Sequence, residues 1–271
     1  MDKKTKMLLA SVSPAALTLV GGAYAADLPV KAPHFVAAPA PAPAYSWTGC
    51  YVGAHVGYGW GKQDATRTHD SATFFFSSGS SGSPSTTHEA ANLGINTHGG
   101  VYGGQVGCNY QFASNWVFGV EAMLAGTGMK GNTIDPLDSS NVISVKTDYL
   151  GSAVARLGFT TSNNQALWYV KGGMAGAHNK WSTTAGSLDS SEDRLGWTVG
   201  GGLEWAFIPN WSAFVDFSYY DFGNCGHLIG STSSASTCGI VCLTGSSDTL
   251  SSGRQQIEIV KLGVNYKFIG H

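Results

Sequence analysis

The stretch from Leu195 to Phe222 reads LGWTVGGGLEWAFIPNWSAFVDFSYYDF. Its two alternating runs, separated only by Ile208, Pro209 and Asn210, predict a β-hairpin. In the first run Trp197, Val199, Leu203, Trp205 and Phe207 share one parity, and Thr198, Gly200, Gly202, Glu204 and Ala206 share the other. In the second run Trp211, Ala213, Val215, Phe217 and Tyr219 repeat the apolar parity, opposed by Ser212, Asp216, Ser218 and Tyr220, with Phe214 as the misfit. The aromatics gather at the turn, and each strand carries a carboxylate on its opposite face, Glu204 and Asp216. That pattern suits a lipid-facing exterior and a polar lumen.

Outward from this hairpin the same unit recurs. Trp47–Trp60 alternates Val52, Ala54, Val56, Tyr58 and Trp60 against Tyr51, Gly53, His55, Gly57 and Gly59. Val101–Phe112, Trp116–Gly126, Asp148–Phe159, Ala166–Ala177 and Arg254–Phe268 follow the same rule, which makes eight strands with the hairpin's two. Connections alternate between short turns (113–115, 160–165, 208–210) and long polar stretches (61–98, about 126–145, 178–194, 223–252), the latter expected as loops. Aromatic residues fall near both strand ends. Trp47, Tyr110, Phe112, Trp116, Phe118, Phe159, Trp168, Trp205, Phe207, Trp211, Tyr266 and Phe268 mark the short-turn end, and Tyr58, Trp60, Tyr102, Tyr149, Trp197 and Tyr219 mark the other. The expected fold is all-β: an eight-stranded antiparallel up-and-down transmembrane β-barrel with short periplasmic turns, long extracellular loops and two aromatic girdles.

The N-terminus fits that destination. Residues 1–25 hold three lysines, a mainly apolar run and Ala-Tyr-Ala, the signature of a secretory signal peptide cut after Ala25. Residues 26–46 carry five of the nine prolines and form a Pro/Ala-rich periplasmic lead-in, 47–268 the barrel, and 269–271 a short extension. The mature chain keeps twelve basic and sixteen acidic residues, a net charge of −4, which gives no basic footprint for a nucleic acid. Beyond the signal no charge-free apolar run is long enough for a spanning helix, and 37 glycines disfavour a helical bundle.

The segments WTGCYVGAHVGYGWG, NWVFGVEA, ALWYVKGGMA, GGLEWAFIPNWSAFVDFSYYDFG and VKLGVNYKF, with ADLP after the signal, resemble the small outer-membrane β-barrel family of alphaproteobacteria, the outer-membrane immunogenic or porin-family proteins. The resemblance covers every strand. It implies an outer-membrane surface protein of eight strands, in a family with some members linked to haemin binding. Two positions depart from the family pattern: Cys50 stands where an aromatic is usual, and Ile269, Gly270 and His271 follow the aromatic that normally ends the last strand.

Strand parity turns six charges inward: Glu121, Arg156, Lys171, Glu204, Asp216 and Lys261. Their signs sum to zero, and they form a belt expected to neutralise itself, the alternative being a selectivity ring in an open pore. Inward glycines, Gly53, Gly57, Gly59, Gly103, Gly119, Gly200, Gly202 and Gly263, leave volume that water could enter. His69, His88, His98, His178 and His227 lie in or beside the long stretches, where they are candidate haemin ligands, although solvated loop histidine is the simpler reading. Of five cysteines, Cys225, Cys238 and Cys242 share one connection, where a disulfide from Cys225 to either of the others is favoured over a zinc site with His227. Cys50 and Cys108 lie outward near the periplasmic ends of adjacent strands, and both a bridge and two free thiols fit.

No Ser, His and acid share a face, so the chain is not expected to be an enzyme, and no resident cofactor or metal is expected. The expected role is structural, an exposed protein of the bacterial outer membrane without a wide pore. The alternatives are a small-solute porin and a haemin or other ligand receptor. Its expected partners are outer-membrane lipid, lipopolysaccharide and, during biogenesis, the barrel-assembly machinery.

Overall fold

An alternating strand with one apolar face can leave that face in lipid only if every backbone amide is paired, which in a sheet requires closure. The computed structural model, which describes residues 45–77, 80–81, 85–113, 115–161, 164–184, 190–224, 228–237 and 242–269, has that closure. Its strands are β1 (Gly49–Ser77), β2 (Ser80–Ser81), β3 (Ser85–Phe112), β4 (Trp116–Thr127), β5 (Lys130–Ile134), β6 (Val142–Thr161), β7 (Ala166–Thr183), β8 (Ser190–Ile208), β9 (Trp211–Asn224), β10 (Leu228–Thr237) and β11 (Cys242–Ile269). The eleven segments make eight strands. β2 and β3 both pair along β1, β4 and β5 both pair between β3 and β6, and β9 and β10 both pair along β11. The ring is β1-β3-β4-β6-β7-β8-β9-β11, every pair antiparallel, and β11 closes it on β1 with Tyr51 against Lys267 and Tyr58 against Val260.

The short turns are tight: β8 passes to β9 through Pro209 and Asn210 alone, and β6 to β7 through residues 162–165. The long stretches differ from the expected loops. Residues 61–77 and 85–98 continue β1 and β3 as a paired ribbon, and the stretches from 178 to 194 and from 223 to 252 are likewise mostly strand. Their polar composition conceals an alternation interrupted only at bulges, as between Thr147 and Tyr149. Gln63, Ala65 and Arg67 on β1 and Leu93, Ile95 and Thr97 on β3 point inward and are buried, while the opposite face is wet, so neither face needs to be apolar throughout. At about 3.3 Å per residue, the ribbon carries the wall several turns of pleat beyond the membrane.

The lipid-facing band is sharply bounded. On β1 it runs Val52, Val56, Tyr58 and Trp60, all exposed, and the next outward residue is Lys62. On β7 it runs Trp168, Val170 and Met174, the last 73% exposed, and gives way to His178 and Lys180. Strands of this length crossing at the tilt of a barrel match an apolar height of about 25 Å. Residues 1–44, and with them the expected signal peptide and most of the lead-in, lie outside the described residues, as do Gly270 and His271.

Candidate functional site

The interior of an eight-stranded barrel is about as wide as its own side chains, so what the lumen can do depends on what fills it. All six belt charges point inward. Arg156 on β6 is 3% exposed and binds two carboxylates, Glu121 on β4 at 3.1 Å and Glu204 on β8 at 2.8 Å. Lys171 on β7 lies 2.9 Å from Asp216 on β9 and 3.6 Å from Glu121, and Lys261 on β11 lies 3.4 Å from Asp216. Three cations and three anions thus form one connected network, and several of its pairs cross the lumen rather than joining neighbouring strands.

Neutral groups complete the network. The Tyr51 hydroxyl donates to Glu121 Oε2 at 2.7 Å and accepts from Arg156, and the Tyr169 hydroxyl donates to Asp216 at 3.0 Å. The two tyrosine rings flank the Arg156 guanidinium, whose carbon stands 4.0 Å from the Tyr169 centroid and 5.7 Å from that of Tyr51. Glu204 Oε1 accepts from Ser212 at 2.5 Å and from Asn265 at 2.8 Å. Asn265 Oδ1 accepts from Gln105, whose Oε1 accepts from His55 Nδ1 at 2.6 Å. Buried ions are tolerated only when their remaining lone pairs and protons are also met, and here neutral side chains meet most of them.

The inward glycines do not leave the space open. A Cβ on Gly202 would lie 2.7 Å from the Tyr169 hydroxyl, one on Gly107 2.5 Å from that of Tyr51, and one on Gly263 2.7 Å from the Phe214 ring. The glycines make room for tyrosines and for Phe214, the apparent misfit of the hairpin. The cavity remaining among the belt residues is about 10 Å³, the room one water needs.

Above and below the belt lie apolar layers. At the periplasmic end Trp47, 3% exposed, packs with Val117, Leu167, Tyr169 and Ala206. Its indole donates to the Asn164 carbonyl at 2.8 Å, its amide donates to Gln111 Oε1 at 3.0 Å, and Tyr45 covers it edge-on. Trp47 therefore plugs the barrel instead of joining the girdle. Toward the extracellular side Val101, Met123, Met129, Leu150, Tyr220 and Ile259 form a second apolar layer. A polar layer follows, in which Asn179 bonds Thr147 and Gln255, and Arg194 bonds Glu192. Beyond it Leu93, Ile95, Ile143, Val145, Trp181 and Leu250 make a third apolar layer, and Arg67 is bound there by Asp135 at 3.1 Å and Asp248 at 3.4 Å.

The histidines are distributed rather than gathered. His69 Nδ1 lies 2.7 Å from Asp248 on the inner face, whereas His88 pairs with Asp70 and His178 with Asp193 at 2.6 Å on outward faces of different strand pairs. His98 is exposed on β3, and His227 lies outside the described residues. Cys50 and Cys108, in register on β1 and β3, form a disulfide. Cys225 and Cys238 lie outside the described residues, as does the side chain of Cys242.

Signs and facing of the belt follow from parity alone. The partner Asn265, which reaches Glu204 past β9, and the plug at Trp47 do not, because strand alternation says nothing of which residues meet across the ring. For Trp47 a signal existed: counted back from Tyr51, it falls on the inward parity.

The model of the outer membrane protein beta-barrel domain matches residues 32–268. The 31 kDa outer-membrane immunogenic protein of Brucella melitensis is 26% identical over 269 residues, 97% of this chain and 99% of that one. The 25 kDa outer-membrane immunogenic protein of Brucella ovis is 30% identical over 221 residues, 82% of this chain and 92% of that one. Among solved structures, the outer membrane protein OprG from Pseudomonas aeruginosa aligns over 84% of this chain and all of that one, at 14% identity and a TM-score of 0.41. With a closed antiparallel ring, a lipid-facing band and a family match along nearly its whole length, this chain belongs to the outer membrane protein β-barrel domain family and resides in the outer membrane.

Proposed function

We propose that the protein is a closed, non-enzymatic barrel whose role is structural and surface-exposed, without an open wide pore. The observation that carries this reading is the filled lumen. A neutral, interlocked belt lies between the Trp47 plug and two further apolar layers, and a hydrated ion would have to displace all of them. The names of the two relatives, both immunogenic outer-membrane proteins, agree with exposure at the cell surface.

The test is electrical. Purified protein in a planar bilayer should give no stable single-channel steps, and liposomes containing it should not swell in sugar. Reproducible steps whose ion preference changes on Lys171→Glu or Asp216→Lys would instead establish the small-solute porin.

A further inference from the structure

Three lysines stand side by side on the outer wall. Lys130 of β5 is in register with Lys146 of β6, Lys146 with Lys180 of β7, and His98 of β3 with Lys130, so the row crosses four neighbouring strands. His98, Lys130 and Lys180 are exposed and Lys146 is half-buried. With strands about 4.8 Å apart, the row is about 14 Å long. Like charges directly opposite one another destabilise a sheet, and a wall facing only water gains nothing from such a row.

One carboxylate is present. The ladder between β6 and β7 slips between Thr147 and Tyr149, which leaves Asp148 as an extra, unregistered residue. Asp148 reaches Lys146 at 2.5 Å and Lys180 at 2.7 Å, and hydrogen bonds from those lysines hold its carboxyl at a pKa of about 2. Lys130 has no carboxylate partner within ion-pair distance among the described residues. The three lysines and the one aspartate leave the row a net charge of about two, and it borders an open groove of about 950 Å³ whose lining includes Asn96, Asn132, Ser144 and Ser182.

Its height identifies what it faces. Tyr102, 65% exposed, is four residues below His98 on β3, and Tyr149 is three below Lys146 on β6. Both belong to the aromatic girdle at the extracellular edge of the apolar band. At about 3.3 Å per residue along a tilted strand, the row lies about 5–10 Å above that edge, level with the headgroups of the outer leaflet. Basic residues at that depth are attracted to anionic lipid.

We propose that Lys130, Lys146 and Lys180 form a site for the phosphate groups of lipopolysaccharide, with His98 and the amide and hydroxyl side chains of the groove contacting phosphate and sugar oxygens. The site lies on the outer wall and is independent of whether the lumen conducts. The probe is lipopolysaccharide, intact or enzymatically dephosphorylated, titrated against the purified folded barrel in detergent.

The parent should prefer the phosphorylated form by at least tenfold. Lys130→Gln/Lys146→Gln/Lys180→Gln should lose that preference, and Lys267→Gln, at the periplasmic end, should keep it. Bound lipopolysaccharide should also protect the three lysines of the unaltered protein from reductive methylation, a readout that needs no variant to fold. Equal affinity for the two lipid forms, an unchanged triple variant, or unprotected lysines would overturn the site. Displacement of lipopolysaccharide by low concentrations of inorganic phosphate would make it a free-phosphate site and overturn the lipid assignment.

Discussion

Arg156 shows how much a single inward position has to satisfy. It binds Glu121 and Glu204, lies between the Tyr51 and Tyr169 rings, and is almost fully buried. Removing one partner of a buried pair leaves an uncompensated charge, at a cost of about 3–5 kcal/mol. Glu204→Lys should therefore destabilise the barrel by at least about 3 kcal/mol, since Ser212 and Asn265 also lose their acceptor. The check is the urea midpoint of the folded protein in detergent, and an unchanged midpoint would show the belt to be energetically idle. A glycine pair makes a sharper contrast. Gly202→Ala puts a Cβ 2.3 Å from the Val215 carbonyl and should cost about 1–3 kcal/mol. Outward Gly172 meets nothing closer than 3.6 Å, and Gly172→Ala should be nearly silent in the same measurement. At this scale the sequence tells which way a side chain points, because the period of a strand is two. It does not tell that a glycine on one strand is the space occupied by a tyrosine from its neighbour.

Among the elements, the β1–β3 hairpin has the most to hold together. Its strands stay paired from Cys50 with Cys108 to Thr73 with Ser85, and the disulfide at its base spans 58 residues. Chain entropy assigns a loop of that size about 4 kcal/mol. Cys50→Ser/Cys108→Ser should lower unfolding stability by up to that amount without changing the far-ultraviolet circular dichroism, and a loss below about 1 kcal/mol would mean that the membrane already constrains the unfolded chain. The extension of this hairpin beyond the membrane was the part of the fold hardest to read. Ser, Thr, Gly and His in 61–98 match loop composition, and only the inward set Gln63, Ala65, Arg67, Leu93 and Ile95 marks a strand. Protease added to intact cells should accordingly spare the paired segments 61–73 and 86–98, and mass spectrometry of the released peptides locates the cuts. Efficient cleavage inside either segment would argue against the ribbon.

For the molecule as a whole, alternation, turn lengths and aromatic bands were enough to read eight strands in an antiparallel ring, since each depends on local sequence. The packing of the lumen was only partly legible, because it depends on layers contributed by all eight strands at equal height. Trp47 connects these scales through time. Its amide partner, Gln111, is on β3, and its indole partner, Asn164, is in the turn between β6 and β7, so the plug cannot seat until strands on opposite arcs of the ring have been brought together. That makes its indole an optical clock for assembly. In a chain whose other tryptophans are replaced by phenylalanine, emission from Trp47 should change late in refolding into lipid vesicles, after backbone ellipticity has plateaued. An indole signal that leads the ellipticity would mean that the N-terminal segment collapses onto its partners before the ring closes, so that the barrel winds around its own stopper.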